Sequence, residues 1–456
     1  MSNQTLRQEI RTNSMWQLML KLTPVAVLAM SVNSLNTFVD ALFIGQFLGE
    51  TALAAVSLAF PLSFLANSFA AMLGVGGSSM LSIAIGAKDT EKQKKIFGTI
   101  AVLAVIVSFF LSLFGWIFAE EMVRAIGGEG EVLILAVKYY RVLVLGSFFQ
   151  IFAVSVNFLI RAEGKIKAAM RIAMVSMGIN MVLNPLFIGY FELGIAGAAY
   201  ATIIAMAIFV TLDIAYFVTG KASYAVDLTY FKLDKNFVKP ILTVGISAMM
   251  LQLMFVVQQV VVFKTIAIYG DDWDIAFMGA CYRIMILILV PGFGFSSAMQ
   301  PVAGINFGAK DYNRVKKSFW IFAIGSTTLT SILLLICEIF PTAILSLMLP
   351  TATFTATDIL NFRLMMSPGF VFSFFFMGIV LFQSIGNAKI AGIVMILRDI
   401  FFFIPFVILL PRWFGITGIY SATIFQNAIV ILIAIYLIYQ LFKKWDLEVN
   451  ASKITR

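Results

Sequence analysis

The chain has 456 residues, of which 61% are hydrophobic and only 12% charged. A water-soluble domain carries roughly 45–50% apolar and about 25% charged residues, so a soluble enzyme, a nucleic-acid-binding domain and a disordered chain are excluded. The net charge of +9, from 32 Lys+Arg against 23 Asp+Glu, then reads as the loop bias of a helical integral membrane protein and not as a nucleic-acid footprint. Residues 1–15 are polar and no cleavable signal peptide is expected, so the first apolar stretch is read as a retained span. A bilayer core takes about 20 apolar residues per helix. Twelve runs reach that length: 16–42, 52–83, 96–119, 133–160, 168–190, 196–219, 238–269, 275–303, 317–340, 357–384, 390–410 and 416–442. They are continuously apolar, without the period-2 alternation of a barrel strand, and a helix satisfies its own backbone in lipid.

The connections alternate in charge along the chain. Arg7, Arg11 and Lys21 precede the first run. Lys88, Lys92, Lys94 and Lys95 follow the second, and Arg161, Lys165, Lys167 and Arg171 the fourth. Lys221, Lys232, Lys235 and Lys239 follow the sixth, and Lys310, Arg314, Lys316 and Lys317 the eighth. Lys389 follows the tenth, and Lys443, Lys444, Lys453 and Arg456 end the chain. The intervening loops carry Glu50, then Glu120, Glu121, Glu129 and Glu131, then Glu192, then Asp271, Asp272 and Asp274. The positive-inside rule therefore places both termini in the cytoplasm.

The chain repeats itself. Gly86-Ala87-Lys88-Asp89 with Lys94-Lys95 returns 222 residues later as Gly308-Ala309-Lys310-Asp311 with Lys316-Lys317, and Gly164 returns at the same offset as Gly386. Gly194-Ile195-Ala196-Gly197 returns after 221 residues as Gly415-Ile416-Thr417-Gly418, and Ala201-Thr202-Ile203 as Ala422-Thr423-Ile424. Each copy holds an even number of spans, so both insert the same way up and are parallel repeats. The expected architecture is all-α, with twelve transmembrane helices in two six-helix lobes. Residues 1–220 form the N-lobe, 221–237 a cytoplasmic linker and 238–456 the C-lobe. Two similar lobes flanking a cleft can rock, which points to transport.

Three segments carry a family resemblance: Val39-Asp40-Ala41-Leu42-Phe43-Ile44-Gly45, Leu73-Gly74-Val75-Gly76-Gly77-Ser78-Ser79, and Gln300-Pro301-Val302-Ala303-Gly304-Ile305-Asn306-Phe307-Gly308-Ala309-Lys310. In this order, within a six-plus-six layout, they resemble the prokaryotic branch of the multidrug and toxic-compound extrusion (MATE) family. The resemblance implies a V-shaped cleft between the lobes. It also implies a cation-coupled exporter of amphipathic, often cationic drugs in a prokaryotic plasma (inner) membrane.

A charge at the bilayer centre costs about 2.5–3.5 kcal/mol on insertion scales, so charged residues inside the runs call for reasons. Asp213, Glu338 and Arg363 lie toward span ends. Arg398 and Asp399 are adjacent and point about 100° apart on a helix, so each is expected to pair with another helix. Asp40 stands apart. Asn33, Asn36 and Asp40, at i, i+3 and i+7, make one polar face on the first run, and Asn180 and Asn184 make another on the fifth. At a rise of ~1.5 Å per residue, Asp40, Asn180 and Asn184 fall at similar depths, with Thr202 about two turns into the sixth run. Asn157 comes out nearer the cytoplasm. In the second copy Asp40 maps to Val262, Asn180 to Phe402, Asn184 to Phe406 and Asn157 to Ile379, while Thr202 keeps its partner as Thr423. The polar centre is thus expected in the N-lobe alone.

Asp40, Asn180, Asn184, Thr202 and Asn157 are the candidate cation-coupling residues. A carboxylate in an apolar lobe favours its protonated form and can carry a proton. Alternatively, Asp40, Asn180 and Thr202 offer hard oxygens to Na⁺. The resembled family often has a second carboxylate where this chain has Asn184, and that departure weakens the Na⁺ case relative to H⁺. No cofactor beyond a coupling ion is expected.

The candidate substrate contacts are Asn33, Asn36, Tyr139, Gln252, Gln259, Met254 and Arg283. Met249, Met250, Met285 and Met299 gather on the seventh and eighth runs, and thioethers and aromatic faces suit organic cations. Gln258 is read with Gln259 as facing the cleft or bridging helices. Lys264 and Arg283 would repel cations, which places cation contacts nearer the N-lobe. The expected partners are small-molecule drugs, organic cations and the lipid bilayer, with no nucleic acid and a monomeric chain. A flippase for a lipid-linked saccharide competes, on the strength of Lys264, Arg283, Arg363 and Arg398. An enzyme or an ATP-driven pump does not: there is no histidine and no G-x-x-x-x-G-K-[ST] loop.

Overall fold

The computed structural model describes residues 3–220, 222–224, 228–349 and 352–454, and among these every regular element is a helix. In chain order the spans are span 1 (Met15–Leu48), span 2 (Glu50–Gly86), span 3 (Thr90–Ile117), span 4 (Gly130–Leu145 and Ser147–Ala162), span 5 (Ile166–Pro185, continued by a π-helical turn at Leu186–Tyr190) and span 6 (Gly194–Val218). The second set is span 7 (Lys235–Tyr269), span 8 (Asp272–Gly308), span 9 (Tyr312–Ile339), span 10 (Ala356–Met366 and Gly369–Ser384), span 11 (Ala388–Ile396, a π-helical stretch Leu397–Phe403, and Ile404–Leu409) and span 12 (Ile416–Ile454). By length and composition 11 helices can cross a membrane, and span 4, bent by 53°, makes 12.

The helices outrun the apolar runs wherever a polar turn is capped. Span 3 starts six residues before its run because the Asp89 carboxylate accepts from the Lys92 amide at 3.0 Å. Span 12 continues past residue 442 because its end is amphipathic: Trp445 stacks on Tyr312, centroids 5.2 Å apart. The apolar run marks the lipid-crossing part, and the helix continues into the polar zone.

The repeat reaches the backbone. Lys88 and Lys310 both adopt positive φ (62° and 59°), as do Gly164 and Gly386 (80° and 77°) and Gly194 and Gly415 (61° and 56°). The break in span 4 at Gly146 has its counterpart at Ser367–Pro368 in span 10. Neither interruption is visible in hydropathy, because each is only one or two weakly polar residues inside a long apolar run.

The packing has three cores. At the end carrying Lys88, Lys95 and Lys310, the basic end, one core draws on both halves, with Leu18, Leu73, Ile100 and Leu159 packed with Ala298, Phe319, Phe382 and Trp445. At the opposite end there are two. Ile44, Ala55, Tyr140 and Ile195 pack within the first half, and Val262, Phe277, Phe362 and Tyr420 within the second. The halves are joined at the basic end and separate at the other, which makes a V-shaped cleft. At the joint the backbones touch: a methyl group at Gly76 would overlap the Ile241 carbonyl, and one at Gly245 the Met72 carbonyl. The outer surface is apolar, with Phe109, Phe110, Phe114, Leu432 and Tyr436 exposed in the manner of a lipid-facing belt.

Candidate functional site

Span 1 presents Asn36 and Asp40 one turn apart to span 5, which presents Asn180 and Asn184 one turn apart in return. The Asn184 Nδ2 donates to Asp40 Oδ1 at 2.6 Å, and the Asn36 Nδ2 to Asp40 Oδ2 at 3.1 Å. Asn184 Nδ2 also reaches Asn180 Oδ1 at 3.3 Å, and Asn180 Nδ2 reaches the Thr202 hydroxyl at 3.5 Å. Thr202 donates in turn to the Ala198 carbonyl of its own helix at 3.1 Å. The result is one polar chain, Asn36–Asp40–Asn184–Asn180–Thr202, across spans 1, 5 and 6. Asn180 and Asn184 are buried and Asp40 half-buried. Asn36 Oδ1 and Asn184 Oδ1 are buried without a hydrogen-bond partner. The carboxylate therefore has two amides and two unused carbonyl oxygens around it, and it makes no ion pair among the described residues. Such a set can hold a proton or a small hard monovalent cation. No group of three acidic, cysteine or histidine ligands occurs among the described residues, so a divalent site lacks its usual charge.

Tyr139 of span 4 packs beside the outer core of the first half, within electrostatic reach of Asp40. The side chain of Asn33 lies outside the described atoms. Asn157 does not belong to the cluster. Its amide donates to the Ala169 carbonyl at 3.0 Å, and its polar neighbourhood is Arg161 and Asp213, toward the basic end. The reason is the depth noted in the sequence: Asn157 lies near the basic end of span 4, on the far side of the Gly146 bend from Tyr139.

Further polar groups escaped the sequence reading. Arg161 crosses between the halves, donating from Nη1 to Ser297 Oγ at 3.1 Å. Asp213, which the sequence places toward a span end, is fully buried, and neither carboxylate oxygen has a hydrogen-bond partner among the described residues. Glu163, in the turn after span 4, accepts from the Tyr216 hydroxyl at 2.8 Å and from the Ser223 amide at 3.2 Å. Burial pushes the Glu163 carboxyl up to about 7 against those hydrogen bonds. Lys138 and Arg141 also fall inside span 4, Arg141 lying over the Trp116 ring at 5.7 Å. Adjacency in sequence to a basic loop disguised Arg161 and Glu163 as solvated charge.

The second half corrects the expectation of a polar centre in one lobe only. Val262 and Ile379 are indeed buried apolar residues. Yet Asp399 of span 11 accepts at Oδ1 from Gln258 of span 7 at 2.7 Å and from Gln426 of span 12 at 3.2 Å. Spans 7, 11 and 12 are the repeat partners of spans 1, 5 and 6, and Gln258 stands 222 residues after Asn36. The carboxylate has moved from the first helix of the trio to the second, so a position-by-position mapping missed it. Arg398 and Asp399 also form an ion pair with each other at 3.7 Å, with the guanidinium over Phe372 and Phe375. The widened π-helical turn carries both residues.

Along the cleft, Asn67 Nδ2 of span 2 donates to Gln252 Oε1 of span 7 at 2.8 Å, bridging the halves. Gln259 lies two turns further on the same face; Met254 is half-buried and turned to the opposite side of the helix. Gln258 points instead into the second half, toward Asp399. Met249, Met250 and Met285 are half-buried, but Met299 is fully buried in the shared core and does not line the cleft. Lys264 and Arg283 are exposed.

The MatE family model matches residues 25–186 and again 247–409, one match in each half. "Probable multidrug resistance protein YoeA" of Bacillus subtilis (strain 168) is 28% identical over 344 residues, covering 74% of each chain. "Multidrug export protein MepA" of Staphylococcus aureus (strain NCTC 8325 / PS 47) is 25% identical over 424 residues, covering 90% of each. The crystal structure of a MATE P26A mutant superposes with a TM-score of 0.90 at 24% identity, covering 96% of this chain and 98% of that one. With the family model matched over both halves and this helical architecture in common, the chain belongs to the MatE family of multidrug and toxic-compound extrusion transporters.

Proposed function

We propose that this protein is a secondary multidrug exporter that moves amphipathic and cationic organic compounds out of the cell in exchange for H⁺ or Na⁺. The observation that carries the reading is Asp40: a carboxylate inside the first half, surrounded by amides, with no basic residue paired to it among the described residues. Its charge is left for a mobile cation to neutralise. A proton takes either oxygen. Na⁺ takes carboxylate and carbonyl oxygens, and the unpartnered Oδ1 atoms of Asn36 and Asn184 are of that kind.

The cycle follows from differential affinity. Ion binding at Asp40 acts only by favouring one arrangement of the half over another. With the basic end in the cytoplasm, as loop charge argues, the joined core closes the cytoplasmic side and the cleft opens outward, the arrangement from which drug leaves. The lobes 1–220 and 238–456 then rock about the joint, and loss of the ion returns the inward-open, drug-accepting form. The names of YoeA and MepA support the export of drugs. The flippase reading is weaker, because Arg363 and Arg398 each stand beside a carboxylate, Glu338 and Asp399, and are not free to hold pyrophosphate.

The test is dye efflux from vesicles under an imposed H⁺ or Na⁺ gradient. Asp40→Asn is expected to reduce gradient-driven efflux to the background of protein-free vesicles. Unchanged efflux in that variant removes Asp40 from the mechanism.

A further inference from the structure

We propose that Arg283 is a specificity-determining residue that holds a carboxylate of the substrate, so that the cleft takes zwitterionic amphiphiles bearing both an ammonium and a carboxylate group. The inference rests on the export reading above and narrows its substrate class.

Span 8 presents Gly294 to Val27 of span 1 and Ser297 to Arg161, so this face of the helix looks onto the first half. Arg283 precedes Gly294 by eleven residues, three turns at ~3.6 residues each, and so lies on the same face. Its flanking residues confirm the orientation: Cys281, Tyr282 and Ile284 are buried in the core of the second half, while Arg283 and Leu287 are exposed. One turn beyond, a methyl group at Gly279 would meet nothing within 4 Å. The face that is sealed against span 1 at Gly294 is therefore open at Arg283, on the wall of the cleft.

Arg283 makes no hydrogen bond, ion pair or ring contact among the described residues. It lies ten residues into the membrane-crossing helix, about 15 Å from the Trp273 end at ~1.5 Å per residue. A lipid-facing charge there would carry the cost stated above, whereas a hydrated cleft removes it. The other basic side chains of the second half do not share this position. Arg398 is held by Asp399 and two phenylalanines, and Arg363 by Glu338. Lys264 is turned about 120° from the Gln252 face.

Counted outward from the Val27–Gly294 contact, Arg283 stands ~17 Å and Asp40 ~20 Å along their helices. The two charges flank the cleft at matching depth with opposite sign. A bare monocation between them meets repulsion from one side. A zwitterion places its ammonium toward Asp40 and its carboxylate on the guanidinium, whose planar fork binds carboxylate in two parallel hydrogen bonds.

The test compares two dyes that differ by one group: a rhodamine free acid, zwitterionic in its open form, and its methyl ester, a monocation. Full-length protein in proteoliposomes is assayed for both. Wild type is expected to export both. Arg283→Gln is expected to lower export of the free acid roughly tenfold, chiefly through KM, and to leave the ester unchanged or faster. Arg283→Lys should recover part of the loss, and it carries the same comparison if Arg283→Gln does not fold. An equal fall for both dyes, or no change for the free acid, overturns the inference. Export of the ester but not the acid by wild type overturns it while leaving the export reading intact. Export of neither dye removes both.

Discussion

Two carboxylates, Asp40 and Asp399, sit in repeat-related trios of helices and are treated in opposite ways. Asp399 has two glutamine amides and a guanidinium at 3.7 Å, so its charge is neutralised within the protein. Asp40 has two asparagine amides and, among the described residues, no such partner. Burying an unpaired charge is expensive, so such a group either takes up a proton or is matched by an ion. Duplication supplied the same helical frame twice. One copy became a fixed ion pair, and the other holds a carboxylate among amides, the site proposed above for a cation.

The comparison can be broken by removing partners. Asp399→Asn leaves the Arg398 guanidinium buried without its countercharge, and a loss of roughly 3–5 kcal/mol in stability is expected, read as a fall in the thermal midpoint of the detergent-solubilised protein. Arg398→Met combined with Asp399→Leu should recover most of that loss and retain dye efflux. If the double variant is stable but transports nothing, the second cluster is part of the coupling machinery and the contrast fails.

A third carboxylate sharpens it. Glu163, outside the spans at the basic end, has its folded-state value raised from 4.5 to about 7. The folded chain thus binds more protons than the unfolded one between these values. The stabilisation is fully present below pH 4.5 and is lost as pH rises through about 7. Thermal midpoints recorded across that window should decline in wild type and decline less in Glu163→Gln. Parallel curves would contradict the assignment.

The smallest effect is expected at Asn67 and Gln252, a neutral pair across the halves. Gln252→Ala should cost about 1 kcal/mol in stability and change efflux by only a few-fold. A complete loss of transport there would shift weight from the charged cluster to the amide bridge.

Much of this was legible in the sequence. Span count, the repeat offset and the convergence of Asp40, Asn180, Asn184 and Thr202 follow from hydropathy and helical spacing, because a transmembrane helix fixes both depth and face. Three features were not. The breaks at Gly146 and Ser367–Pro368 are too short to interrupt the surrounding apolar run. Asp399 moved between repeat-related helices, which defeats alignment by offset. Arg161 and Glu163 look like loop charge until the fold buries them. Met299 failed for a related reason: residue type is blind to whether a face looks into the cleft or into the joint.

The central claim is that ion exchange passes through Asp40 and not through Asp399. Its most direct test is to load proteoliposomes with dye and record ion movement opposite to dye movement, as H⁺ or Na⁺ flux, in wild type, Asp40→Asn and the Arg398→Met/Asp399→Leu double variant. The account predicts opposing flux in wild type and in the double variant, and none in Asp40→Asn. Dye-driven ion flux that persists in Asp40→Asn would contradict it.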